Sequence, residues 1–153
     1  MALVSIFLSL QILLLFIITF HDWVHLPPLT DIRSLEKHSS AVDRVVNSAI
    51  FFLTVCIPLI LTWVYWQAFQ WWVLACIASF YGLLTLGTIL SWWIPYLFGG
   101  YSEEYKLGFA EYKTTHHFLP TRGDNIVPNT LHVVLHLCIW TCFAISLYLL
   151  INN

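Results

Sequence analysis

The sequence predicts an all-α polytopic membrane protein: a four-transmembrane-helix bundle with an interfacial amphipathic helix between the third and fourth spans. Three observations carry that expectation. The 153 residues are 59% hydrophobic, 17% aromatic and only 9% charged, a balance outside the range of soluble domains. Four apolar runs are each about as long as the roughly 20 residues a helix needs to cross a bilayer core. The charged residues are confined to two of the intervening stretches. The whole chain, 1–153, reads as one integral-membrane domain. Its spans lie at about 2–20, 45–66, 71–97 and 130–150, and its long loops at 21–44 and 98–129.

Ala2 to Phe20 is apolar except for Ser5, Ser9, Gln11 and Thr19. No basic residue precedes the run and no small-x-small site follows it, so it reads as a transmembrane helix rather than a cleaved signal. Pro27 and Pro28 then stop any helix. Leu29, Ile32 and Leu35 recur at helical spacing and predict a short helical piece. Ser40 with Asp43 three residues on forms a capping-box pattern, which starts the second helix near Ala41, ahead of its membrane-crossing part. Pro58 lies inside that helix and predicts a kink.

Gln67 to Gln70 leave so short a connection that the second and third helices must be antiparallel neighbours. In the third helix Tyr81, Thr85, Thr88 and Trp92 form one polar and aromatic stripe at 100° per residue, suited to face protein rather than lipid. Trp63, Trp66, Trp71 and Trp72 gather at one end of this hairpin and Trp92 and Trp93 at the other, as two interfacial belts. After Gly99 and Gly100, Ser102 is placed to cap a helix on which Tyr101, Tyr105, Phe109, Tyr112 and His116 share a face. Such a segment lies in the interface or folds over the helix ends as a lid. A turn-rich piece with Pro120, Gly123, Asp124 and Pro128 leads to Asn129 or Thr130, which caps the last helix. The four cysteines sit in apolar segments without Cys-x-x-Cys spacing and read as buried free thiols.

All six Lys and Arg fall in the two long loops. The positive-inside rule makes those loops cytoplasmic and both termini external, in the plasma membrane. The seven histidines fall on the same side. A net charge of −2 spread over so few groups points to no nucleic-acid partner.

The histidines form the candidate site. His21 and His25 flank Asp22 at the end of the first helix, and His132 and His136 stand one turn apart at the start of the fourth. Imidazoles so spaced project to one face and can share a metal ion or flank a substrate. With His116 they make a metal-ligand set suited to zinc or iron. His132, His136 and Asp22 are the acid/base candidates. His136 lies two turns inside the helix, where an ionisable group needs a partner or a hydrated cavity. His-Val-Val-Leu-His lacks the Glu of a zincin, and the His-x-x-His-His boxes of membrane desaturases are absent. A bis-histidine haem is a weaker use of these residues, because they gather at one end of the membrane. Arg122, Asp124, Asn125 and Asn129 lie in a polar run that reads as a turn stabilised by its own side chains or as a clamp, with Arg122 gripping a phosphate or carboxylate bidentately; Tyr112 is a further binding candidate.

The function expected from these residues is binding of a metal, or action on a lipid-like or phosphate-bearing small molecule, at the cytoplasmic leaflet. The alternative is a non-catalytic accessory subunit of a partner membrane protein. A small homo-oligomeric transporter using the histidines as interface or proton-relay groups belongs to the same class.

Overall fold

The computed structural model describes residues 2–153 and is all-helical, with no strand among the described residues. Four helices are long and apolar enough to cross a membrane: Ala2–Phe20, Ala41–Tyr65, Trp71–Phe98 and Thr130–Ile151. In each, 22 to 28% of the most apolar window is buried inside the protein. The rest of that surface, Leu53, Trp63 and Leu83 among it, faces outward, as expected of a chain solvated by lipid.

Helix α1 (Ala2–Phe20) buries Phe7, Gln11, Leu14 and Ile18, a stripe at three- and four-residue spacing. It packs on α3 (Ala41–Tyr65) and on α7 (Thr130–Ile151). The third span comprises α4 (Trp71–Thr88), a π-helical turn (Ile89–Trp93) and α5 (Ile94–Phe98), and α4 lies along α7. Close packing there is permitted at Gly82, where an added Cβ would come within 3.1 Å of the Phe143 ring. Trp140 also donates from Nε1 to Thr88 Oγ1 at 3.0 Å. In the core, Gln11 Nε2 donates to Thr62 Oγ1 at 3.0 Å, and the Thr62 hydroxyl donates to the carbonyl of Pro58 at 2.8 Å. Helix α3 runs unbroken through Pro58.

The capping box at Ser40 and Asp43 is present. The short helix of the first loop, α2 (Ile32–His38), is capped by Asp31, whose carboxylate accepts the amides of Arg33 and Ser34. The expected continuous helix after Ser102 instead comes in pieces: α6 (Glu103–Leu107) and a 3-10 turn (Ala110–Tyr112). Gly108 closes the first piece through its amide to the Tyr105 carbonyl at 3.2 Å, and glycine is a poor residue with which to continue a helix.

The two loops pack on each other at one end of the spans. The amide of His116 donates to the Pro28 carbonyl at 2.7 Å, and that of Thr130 to the His116 carbonyl at 2.8 Å.

The π turn has a cause in the sequence. Pro95 has no N–H to give the carbonyl one turn back, and its ring crowds that carbonyl. A turn widened to i→i+5 bonding relieves the crowding, and Ile94 donates to the carbonyl of Ile89. The carbonyls of Ser91 and Leu90 are then taken by hydroxyls from the second long loop, Tyr105 at 3.2 Å and Tyr101 at 3.5 Å.

Candidate functional site

The wider turn brings consecutive residues, Trp92 and Trp93, against α7. The Trp92 ring stacks on His132 with centroids 4.3 Å apart, while Trp93 Nε1 donates to His136 Nδ1 at 3.1 Å. His132 and His136 are buried, at 7% and 1% exposure, with ring centroids 6.1 Å apart. His21 stands edge-on to His132 at 5.9 Å. Tyr112, from the 3-10 turn, stands edge-on to the other part of the same ring at 4.6 Å.

The hydrogen bonds fix which ring nitrogen carries the proton in each neutral imidazole. Asn129, the N-cap of α7, gives its amide nitrogen to Thr115 Oγ1 at 2.9 Å. Its Oδ1 accepts the backbone N–H of His132 at 2.8 Å and lies 2.8 Å from His132 Nδ1. That oxygen can only accept, so Nδ1 carries the proton and Nε2 presents a lone pair. His136 is the reverse: an indole N–H can only donate, so Nδ1 is the acceptor and Nε2 carries the proton.

His21 Nδ1 lies 3.1 and 3.0 Å from the carbonyls of Ile17 and Ile18, so its proton is on Nδ1. Yet Nε2 is 3.0 Å from Asp22 Oδ1. That contact is an ion pair only when the imidazole is protonated. Burial raises the Asp22 carboxyl above the ordinary aspartate range, against the opposing pull of the His21 and Arg44 charges. Burial likewise raises the Tyr112 phenol, helped by the carboxylates of Glu111 and Asp22.

His21, Asp22, Trp92, Tyr112, His132 and His136 line one cavity of about 630 Å³, within the usual range of small-molecule sites. Its two sides are α3, with Arg44, Asn47 and Phe51, and the third span, with Leu83 and Gly87 of α4 and Ser91 of the π turn; Ile18, Leu135 and Ile139 form its back. Phe51 and Leu83 are 47% and 71% exposed, so the cavity is a groove open on the apolar flank of the molecule. Its polar groups collect at the loop end. Arg44, the cation there, bonds Glu36 through Nη2 at 3.4 Å and lies over the Trp23 ring.

A second cavity of about 280 Å³ lies behind Trp92, Phe109 and Tyr112 and takes in Lys106, Lys113, His117, Asp124 and Asn125.

Of the residues expected at the site, His21, Asp22, His132, His136, Asn129 and Tyr112 come together. His25 lies apart, in a surface hollow with Pro27, Pro28 and Arg33. His116 is bound to Thr130 Oγ1 through Nδ1 at 2.7 Å. The polar run does not converge as a clamp. Arg122 is exposed and lies over the Tyr96 ring at 5.3 Å. Asn125 gives its amide to the Tyr96 carbonyl at 2.9 Å, and Asp124 faces the second cavity.

Among the described residues, no group of three or more His, Cys, Asp or Glu side chains is placed to hold a metal ion. An ion shared by His132 and His136 would need the His136 proton moved to the nitrogen at which the Trp93 N–H points. Trp92, Trp93 and Thr115 are the participants that residue-type reading missed. Pro95, one turn past the tryptophan pair, is the signal that could have marked the first two.

Comparison with protein-family models, with curated proteins and with solved structures finds no match for this chain.

Proposed function

We propose that this protein holds a lipid-like amphiphile, with its chain in the groove between α3 and α4 and its polar end among His21, Asp22, His132 and His136. The observation that carries this reading is the polarity gradient along one groove. Phe51 and Leu83 at the open rim and Leu135 and Ile139 at the back line its apolar stretch, and the titratable groups gather at the loop end. The confinement of all Lys and Arg to the two loops supports placing that end at the cytoplasmic leaflet of the plasma membrane, with both termini outside. In this reading the pieces after Ser102 lie at the membrane interface, over the mouth of a four-helix bundle. If the protein is an enzyme, the His132 Nε2 lone pair is its base, and the Asp22 carboxyl, raised by burial, its nearest acid.

Gly87 offers a direct test, because it lines the groove and an added Cβ meets nothing within 4 Å. Gly87→Phe should fold normally and abolish retention of a nitroxide-labelled fatty chain, read by electron paramagnetic resonance. Retention equal to the parent's would overturn the proposal.

One observation favours the alternative of a non-catalytic transporter or accessory subunit. The rings of His21, His132 and His136 follow one another at 5.9 and 6.1 Å, a row suited to relaying protons. Co-purification of a stoichiometric membrane partner would favour that class.

A further inference from the structure

The polar end of the groove carries a pattern of donors and acceptors, and that pattern selects a head group. We infer that the preferred occupant is a long-chain alcohol, a lipid whose head is an uncharged hydroxyl, rather than a lipid phosphate, carboxylate or amine. The inference rests on the groove reading above and adds the chemistry of the ligand.

His132 and His136 line the same cavity and present opposite faces to it. Asn129 holds the His132 proton on Nδ1, which leaves the Nε2 lone pair without a partner among the described residues. Trp93 holds the His136 lone pair on Nδ1, which leaves the Nε2 proton likewise without a partner among them. One acceptor and one donor, a single helical turn apart, match a group that both donates and accepts. A hydroxyl does this with one oxygen, its proton toward His132 and its lone pair toward His136.

A phosphate or carboxylate brings lone pairs only. It would satisfy His136 but set negative charge against the His132 lone pair and beside the Asp22 and Glu111 carboxyls that line the groove. Arg44 is the cation lining it, and Glu36 already takes one of its nitrogens. An ammonium fails in the other sense: it satisfies His132 and leaves the His136 N–H facing a second donor. Leaving a buried polar group unpaired is costly enough to shift affinity about tenfold or more. The discrimination should therefore be about tenfold or more.

The test uses the full chain in detergent micelles and five probes with one C18 chain: oleyl alcohol, its methyl ether, oleic acid, oleyl phosphate and oleylamine. Native mass spectrometry reads the bound fraction. Oleyl alcohol is expected to bind at least about tenfold tighter than each of the others. In Trp93→Phe, which frees the His136 proton to move to Nδ1 and turns Nε2 into a second acceptor, the margin over oleylamine should shrink while the alcohol still binds. Equal binding of alcohol and ether, or tighter binding of phosphate, would overturn the head-group assignment and leave the groove standing. Failure of every probe to bind the parent, with Gly87→Phe no different, would overturn the groove and the assignment together.

Discussion

His132 and His136 differ in what holds them. One is aimed by an asparagine that also caps its own helix; the other by an indole on a different span. A buried imidazole held at one nitrogen this way has a defined tautomer, and a defined tautomer is what turns a histidine into a directional donor or acceptor. Asp22 is the residue whose titration should be visible. Its folded carboxyl is raised by burial, so the native state holds the proton more tightly than the unfolded chain. Stability from this group is therefore full below the unfolded value of about 3.9. It falls as pH climbs from there to the folded value and is level above it. Thermal unfolding in detergent between about pH 4 and 7 should show this decline in the parent and a flatter profile in Asp22→Asn. An identical decline in the variant would assign it elsewhere. The meeting of His132 and His136 was legible from their i, i+4 spacing on one helix, whereas the same spacing misled at His21 and His25, because the helix ends at Phe20 and His25 lies apart. The tautomers were not legible, since they depend on Asn129, Thr115 and Trp93, partners brought in by tertiary packing.

The π turn is the element on which the site depends. Pro95 creates it, Tyr105 and Tyr101 satisfy the carbonyls it frees, and Trp92 and Trp93 reach α7 because of it. Pro95→Ala restores an N–H one turn after Ser91 and should let the segment tighten to regular α-helix. Helix content and thermal stability should hold or rise, since proline is the poorest helix interior residue. Binding of oleyl alcohol should weaken, because Trp92 leaves the His132 ring and Trp93 the His136 nitrogen. Unchanged binding in a well-folded variant would detach the turn from the site. Helix ends were readable where a cap or a breaker marks them: Ser40 with Asp43, Asn129, Pro27 and the short link after Trp66. The stretch after Ser102 misled because its aromatic spacing is helical while Gly108 sits in its middle. Amphipathicity records which side chains face the protein, and here Phe109 and Tyr112 meet Trp92 at 4.7 and 5.5 Å from two short pieces as readily as from one helix.

Across the whole molecule, charge and apolarity are sorted so sharply that the four spans and the gathering of the loops at one end follow from composition and length. The cavity does not, because it arises from how far α3 and α4 part beyond their shared hairpin. The orientation expected from the basic loops is open to cysteine mapping. Single cysteines in place of Lys37 or Lys113, in a background without the native four, should resist a membrane-impermeant maleimide in intact cells and react after permeabilisation. One in place of Asn153 should react in intact cells. The reverse pattern would turn the molecule over and place the groove's polar end in the outer leaflet.

The exposed rim at Phe51 and Leu83 has a consequence for how occupancy should be counted. A site entered from the side is filled from within the leaflet, so the governing quantity is the mole fraction of ligand among its lipid neighbours. Its concentration in the surrounding water hardly enters. Diluting proteoliposomes with buffer leaves that fraction, and the occupancy, as it was. Fusing them with ligand-free vesicles lowers both. On the proposed reading, a ligand too insoluble to be titrated from water would reach this groove without ever leaving the bilayer.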